Sequence, residues 1–157
     1  MKSANRLPNL MIRVTGAGAL LCAAFGFLYN ASSLTIAVGG GFDRLVDEEH
    51  LSGFYPAFYW MSAICVTFYA GLTWCGVQFL RLRPRAVWPF GLLMLTEAVY
   101  FFALGPFAAN PKNSGVAGAS GVASGGLMMQ VFCLLPLWGP PFVIWARSRI
   151  EQNGAVS

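Results

Sequence analysis

Four long stretches without a charged residue decide what this chain can become. They run over residues 14–42, 51–80, 86–109 and 113–146, and a single acid, Glu97, interrupts the third. A helix rises about 1.5 Å per residue, so about 20 residues cross a hydrocarbon core of about 30 Å, and every stretch is long enough. Only 10% of the 157 residues are charged and 57% are hydrophobic, far from the roughly 25% charge of a soluble domain. The pattern predicts an all-α integral membrane protein with four transmembrane helices.

The stretches need trimming to give spans. Gly39, Gly40 and Gly41 close the first near residue 38, because glycine carries high backbone entropy and exposes its peptide groups. The second opens with FYPAFYW, where Pro56 suits a first helical turn and Phe54, Tyr55, Tyr59 and Trp60 suit a headgroup-level belt. The fourth opens with GVAGASGVASGG, which has too few bulky side chains to hold a position in a bilayer. The predicted spans are 14–38, 61–80, 86–107 and 125–146, forming one membrane domain over residues 1–157. Between the first two, Phe42, Leu45 and Val46 fall on one side at helical spacing with Asp43, Asp47 and Glu48 opposite, which predicts a short interfacial helix.

Orientation follows from lysine and arginine. With the N-terminus cytoplasmic, the inner face holds Lys2, Arg6, Arg13, Arg81, Arg83, Arg85, Arg147 and Arg149, and the outer face only Arg44 and Lys112. That asymmetry in short loops puts both termini in the cytoplasm, with the plasma (inner) membrane as the expected location. The first stretch exceeds the apolar core of a signal peptide and no A-x-A site ends it, so an uncleaved helix is expected. Basic loops facing an anionic leaflet account for the positive net charge of +4 without a nucleic-acid partner.

Several chemistries are excluded by what the spans contain. Cys22, Cys65, Cys75 and Cys133 all lie within spans and none forms a CxxC pair, which removes a thiol-oxidoreductase reading. His50 is the single histidine, too few for a two-histidine haem or a three-histidine zinc site. Asp47 and His50 stand at i, i+3 within DEEH, but a dimetal bundle needs that pair twice with further carboxylates. The glycine-rich segment holds neither GxxxxGK[ST] nor GxGxxG. No catalytic residue, metal site or cofactor is expected, and the reading is of a non-enzyme.

Packing in lipid depends on small residues that let backbones approach. Gly18, Cys22 and Gly26 supply such a seam in the first span, and Gly91, Ala98 and Gly105 supply one in the third. Ala117, Gly121 and Gly125 form a further ridge if the fourth helix extends outward. Residues 81–85 join the second and third spans so briefly that the two must be neighbours, which predicts an up-down-up-down four-helix bundle. In the fourth span Pro136, Gly139, Pro140 and Pro141 predict a kink or break, since each proline removes an N–H and crowds the carbonyl four residues back.

Glu97 sits at the midpoint of the third span with no lysine or arginine in any span to pair with it. Burial is expected to hold it neutral and hydrogen-bonded inside the bundle, near Asn30, Thr67, Tyr69 and Tyr100 at similar depth. This intramembrane polar cluster has two readings. The first is interhelical glue in a small bundle that works by association, as a subunit, assembly partner or membrane-organising protein whose partners are the lipid bilayer and a protein or a second copy. The alternative is a proton-coupled transporter or channel-like homo-oligomer that uses the Glu97 carboxylate.

Overall fold

The computed structural model describes residues 6–108 and 115–154, and these form four helices with no strands. They are α1 (Arg6–Val38), α2 (Glu48–Leu80), α3 (Val87–Ala108) and α4 (Val116–Gly154), with a 3-10 turn at Pro84–Ala86. Two segments, Asn9–Val38 within α1 and Glu48–Leu80, are long and apolar enough to cross a membrane. α4 packs against all three other helices, α1 also packs along α2, and α3 rests mainly on α4 with a lighter contact to α2.

Backbone chemistry explains the helix ends. After Val38, Gly40 adopts φ 67° and its N–H bonds to Ala37 O at 3.1 Å, while Gly41 N–H bonds to Ile36 O at 2.9 Å. This paired closure satisfies carbonyls the helix leaves free, and the left-handed position needs glycine. The same closure ends α2, where Leu82 N–H bonds to Phe79 O and Arg83 N–H to Gln78 O, each at 2.9 Å. Here the left-handed residue is Leu82 at φ 54°, a conformation that costs an L-residue roughly 1–2 kcal/mol. Its side chain packs on the core around Phe79 and Phe90, and burying a leucine contributes about 1.5–3 kcal/mol when complete, enough to offset the strain.

Four expectations need correction. The short interfacial helix does not form: residues 39–46 are turns, in which Phe42 and Val46 are buried and Leu45 is 75% exposed. Phe42 packs against both Phe54 and Phe58 at ring distances of 5.3 and 5.6 Å, and that packing outweighs an interfacial face. Secondly, α2 starts at Glu48 rather than near Pro56, with Asp47 as its N-cap and Glu48 and Glu49 complementing the first turn. Pro56 and Ser52 are both exposed, so the carbonyl that Pro56 leaves without a donor lies at the surface.

Thirdly, α4 starts at Val116, so the glycine-rich segment is helix rather than an outer linker. Ala119, Ser120, Ala123, Ser124, Gly126 and Leu127 are buried, and at Gly125, on the expected ridge, a Cβ would overlap the Tyr29 ring of α1, so the close approach there runs through Gly125 as well as Gly126. A Cβ on Gly126 would stand 3.3 Å from the Gly26 Cα of α1 and would overlap the Tyr69 hydroxyl. Small residues are what bring α1, α2 and α4 together here.

α4 also continues without interruption through Pro136, Gly139, Pro140 and Pro141, so no break occurs. Pro141 lacks the N–H that would bond to Leu137 O, and the Thr15 hydroxyl of α1, which donates to Met11 O at 3.0 Å, also reaches that carbonyl at 3.4 Å. A neighbouring helix thereby offers a shared, longer contact to one of the freed carbonyls.

Candidate functional site

Two apolar clusters leave a polar layer between them. One cluster gathers Ala19, Leu72, Phe79, Phe90, Met94 and Leu134. The other gathers Ala37, Phe42, Phe54, Phe58, Ala119 and Ala123. Between them lie Asn30 from α1, Tyr69 from α2, Glu97 from α3 and Gln130 from α4, every one of them at most 1% exposed.

The layer contains two hydrogen-bonded pairs. Asn30 Nδ2 donates to the Tyr69 hydroxyl at 2.8 Å and to Gly26 O at 3.4 Å, which ties α1 to α2. Across α3 and α4 the Gln130 carboxamide faces Glu97, and with its nitrogen turned to the carboxylate it stands 2.8 Å from Oε2 and 3.1 Å from Oε1. A carboxylate only accepts, so it needs the amide N–H2, whereas a protonated carboxyl would donate to the amide carbonyl instead. Gln130 can therefore pair with either form of Glu97.

Glycine makes room for this layer. A Cβ on Gly26 would lie 2.5 Å from Tyr69 Cε1 and 2.8 Å from Gln130 Nε2, so both side chains rest against bare backbone. Around them Cys65, Tyr69 and Leu127 pack with Phe68 and Tyr100, and Phe27 meets the Tyr69 ring edge-on at 5.5 Å.

The residues expected from sequence divide unevenly. Asn30, Tyr69 and Glu97 come into one layer. Tyr100 borders it, its ring against Phe68 at 5.8 Å and its buried hydroxyl without a hydrogen-bond partner among the described residues. Thr67 does not belong: it is exposed, and its hydroxyl bonds back to Ala63 O at 2.9 Å. The direct partner of Glu97 is Gln130, which the sequence reading passed over. Of the α4 proline cluster, Pro141 is buried and Gly139 is exposed with open space around it. The side chains of Pro136 and Pro140 lie outside the described set.

At the other end, the Tyr55 hydroxyl donates to Asp43 Oδ1, and that bond holds the phenol above its ordinary pKa. The DEEH stretch is the cap and first turn of α2, where His50 Nε2 lies 3.4 Å from Glu49 Oε1. Among the described residues no three of His, Cys, Asp and Glu gather as metal ligands would.

These features define an all-α, four-helix protein with a buried polar layer. Known protein families, characterised proteins and solved structures give no match to the chain.

Proposed function

We propose that this chain is a multi-pass membrane protein of four up-down-up-down spans, with both termini on the cytoplasmic side of the plasma (inner) membrane. It acts by helix–helix association, as a subunit, assembly partner or membrane-organising protein, and not by catalysis. The observation that carries this reading is an inverted distribution of polarity. Asn30, Ser62, Tyr69, Glu97 and Gln130 are buried, while Leu21, Leu28, Trp60, Leu92, Leu95 and Phe102 are each more than half exposed. Water favours the opposite arrangement, whereas hydrocarbon favours polar groups paired inside and apolar side chains outside.

On this reading Glu97–Gln130 and Asn30–Tyr69 are interhelical glue, and the apolar outer faces are what a partner or second copy meets. Affinity purification in a mild detergent tests it. A reproducible protein partner or a defined homo-oligomer is expected, and recovery of free monomer alone counts against association.

One observation favours the alternative, a proton-coupled homo-oligomer working through Glu97. Among the described residues Asn30 Oδ1, Ser62 Oγ and Tyr100 Oη are buried without hydrogen-bond partners, unused capacity that a conducted proton or solute could engage. A Glu97→Gln protein that folds normally yet abolishes the cellular phenotype would select this second reading, because glutamine keeps hydrogen bonds and cannot titrate.

A further inference from the structure

We propose that the arginine-rich end of the bundle holds a site for one anionic phospholipid, its headgroup on the α2–α3 connection and one acyl chain along α3; this rests on the membrane-spanning reading above. The connection reads RLRPR over residues 81–85, and Arg81, Arg83 and Arg85 are all exposed. Among the described residues none of the three has an ion-pair partner. Leu82 between the first two is anchored in the core at φ 54°, and the Arg83 N–H is bonded to Gln78 O, so the arginines stand on a pinned backbone. Guanidinium groups match phosphate oxygens as planar forks, and a held backbone reduces the ordering needed to bind one.

An apolar groove of about 680 Å³ begins immediately beyond this connection. It starts at Trp88 and Pro89 and follows Gly91, Leu92, Leu95 and Ala98, with Gly91 and Ala98 supplying its hollow. Gly91 and Ala98, two members of the small-residue seam expected to pack α3 against another helix, thus line an open groove, and the surroundings of the third, Gly105, lie outside the described set. From residue 88 to 98 the helix rises about 15 Å, which is one leaflet of a core about 30 Å thick. Among the described residues, cations without an ion-pair partner at one end and an apolar lining beyond match a molecule with an anionic head and an apolar tail.

Charge also selects this occupant over a second copy in the same orientation. Such a copy would bring its own three arginines to the same level, while Asp43, Asp47, Glu48 and Glu49 lie at the other end of α2. Like charges would then face each other at the mouth of the groove.

The test uses the full chain in mild detergent, titrated with phosphatidylglycerol or with phosphatidylcholine of the same acyl chains and read by native mass spectrometry. One phosphatidylglycerol per chain is expected to be retained in preference to phosphatidylcholine. Each of Arg81→Gln, Arg83→Gln and Arg85→Gln should weaken that preference about fivefold at low salt, and the triple variant about a hundredfold. Ala98→Phe, which fills the groove, should lose the lipid with all three arginines intact. Charge-blind retention, or a preference unchanged in the triple variant, overturns the site.

Two further outcomes also overturn it. Inorganic phosphate competing as well as the whole lipid would reduce the site to an anion contact without a chain. Ala98→Phe altering the oligomer but not lipid retention would give the groove to a second copy. Alkaline carbonate extraction separates the two levels: release of the chain from membranes removes the membrane reading and the lipid site together. A chain that resists extraction yet binds lipids without regard to charge loses the lipid site alone.

Discussion

Replacing Glu97 by leucine should move two measurable quantities in opposite directions. An acidic residue at the centre of a span costs about 2.5–3.5 kcal/mol on insertion scales, while leucine returns about 0.3–0.6 kcal/mol. Glu97→Leu should therefore favour insertion of isolated α3 by roughly 3 kcal/mol. In the folded bundle the same change strips Gln130, itself 0% exposed, of the partner that lies 2.8 Å from its amide. A buried polar group left unpaired costs about 1–3 kcal/mol, so the docking of α3 on α4 should weaken by that amount. Glu97→Gln restores an amide pair and should stay within about 1 kcal/mol of the parent, the scale of interhelical hydrogen bonds in membranes. Translocon-mediated insertion of α3 reads the first quantity, and reversible unfolding of the whole protein in mixed micelles reads the second. If Glu97→Leu unfolds at the same denaturant fraction as the parent, the pair contributes nothing and the glue assignment is wrong.

Two further outcomes follow from the packing. Gly26→Ala puts a Cβ 2.5 Å from the Tyr69 ring and should destabilise the bundle by about 1–3 kcal/mol. Gly53→Ala, whose Cβ would meet only Val116 at 4.0 Å, should be neutral or stabilising by up to about 1 kcal/mol, and equal unfolding of the two variants would refute the close approach. For the thiols, Cys22, Cys65 and Cys75 are buried and Cys133 lies on the outer face of α4. A membrane-impermeant maleimide should label none of them in intact membranes and all four after denaturation; prompt labelling of Cys133 would mean that this face meets water.

How far the sequence could be read depended on which signals are local. The end of α1 was legible, because three consecutive glycines stop a helix and supply the left-handed residue that closes it. The bounds of α3 were legible to within a residue, since a charged loop precedes it and no glycine or proline cluster interrupts its middle. The first turns of α2 and α4 were not. Pro56 looks like a start, but a proline at an exposed helical position is tolerated. The glycine-rich opening of α4 looks flexible until α1 and Tyr69 are found against it, a tertiary fact.

Depth alone grouped Asn30, Tyr69 and Glu97, which lie together in the polar layer. It failed for Thr67, although successive helical residues turn by about 100°, so residues 67 and 69 point to nearly opposite sides. Gln130 was passed over because a search for charge does not register a neutral amide. The usable signal was there: it is the one glutamine in the 113–146 stretch, about as far from the α3–α4 connection as Glu97.

The most direct test of the account is the side of the membrane on which each connection lies. A reporter active only in the cytoplasm is fused in turn after Glu48, after Arg83 and after Ser157. The account predicts signal at Arg83 and Ser157 and none at Glu48, following the placement of eight of the ten lysines and arginines on one side. Signal at the Glu48 fusion, or equal signal at all three, contradicts a four-span protein with cytoplasmic termini.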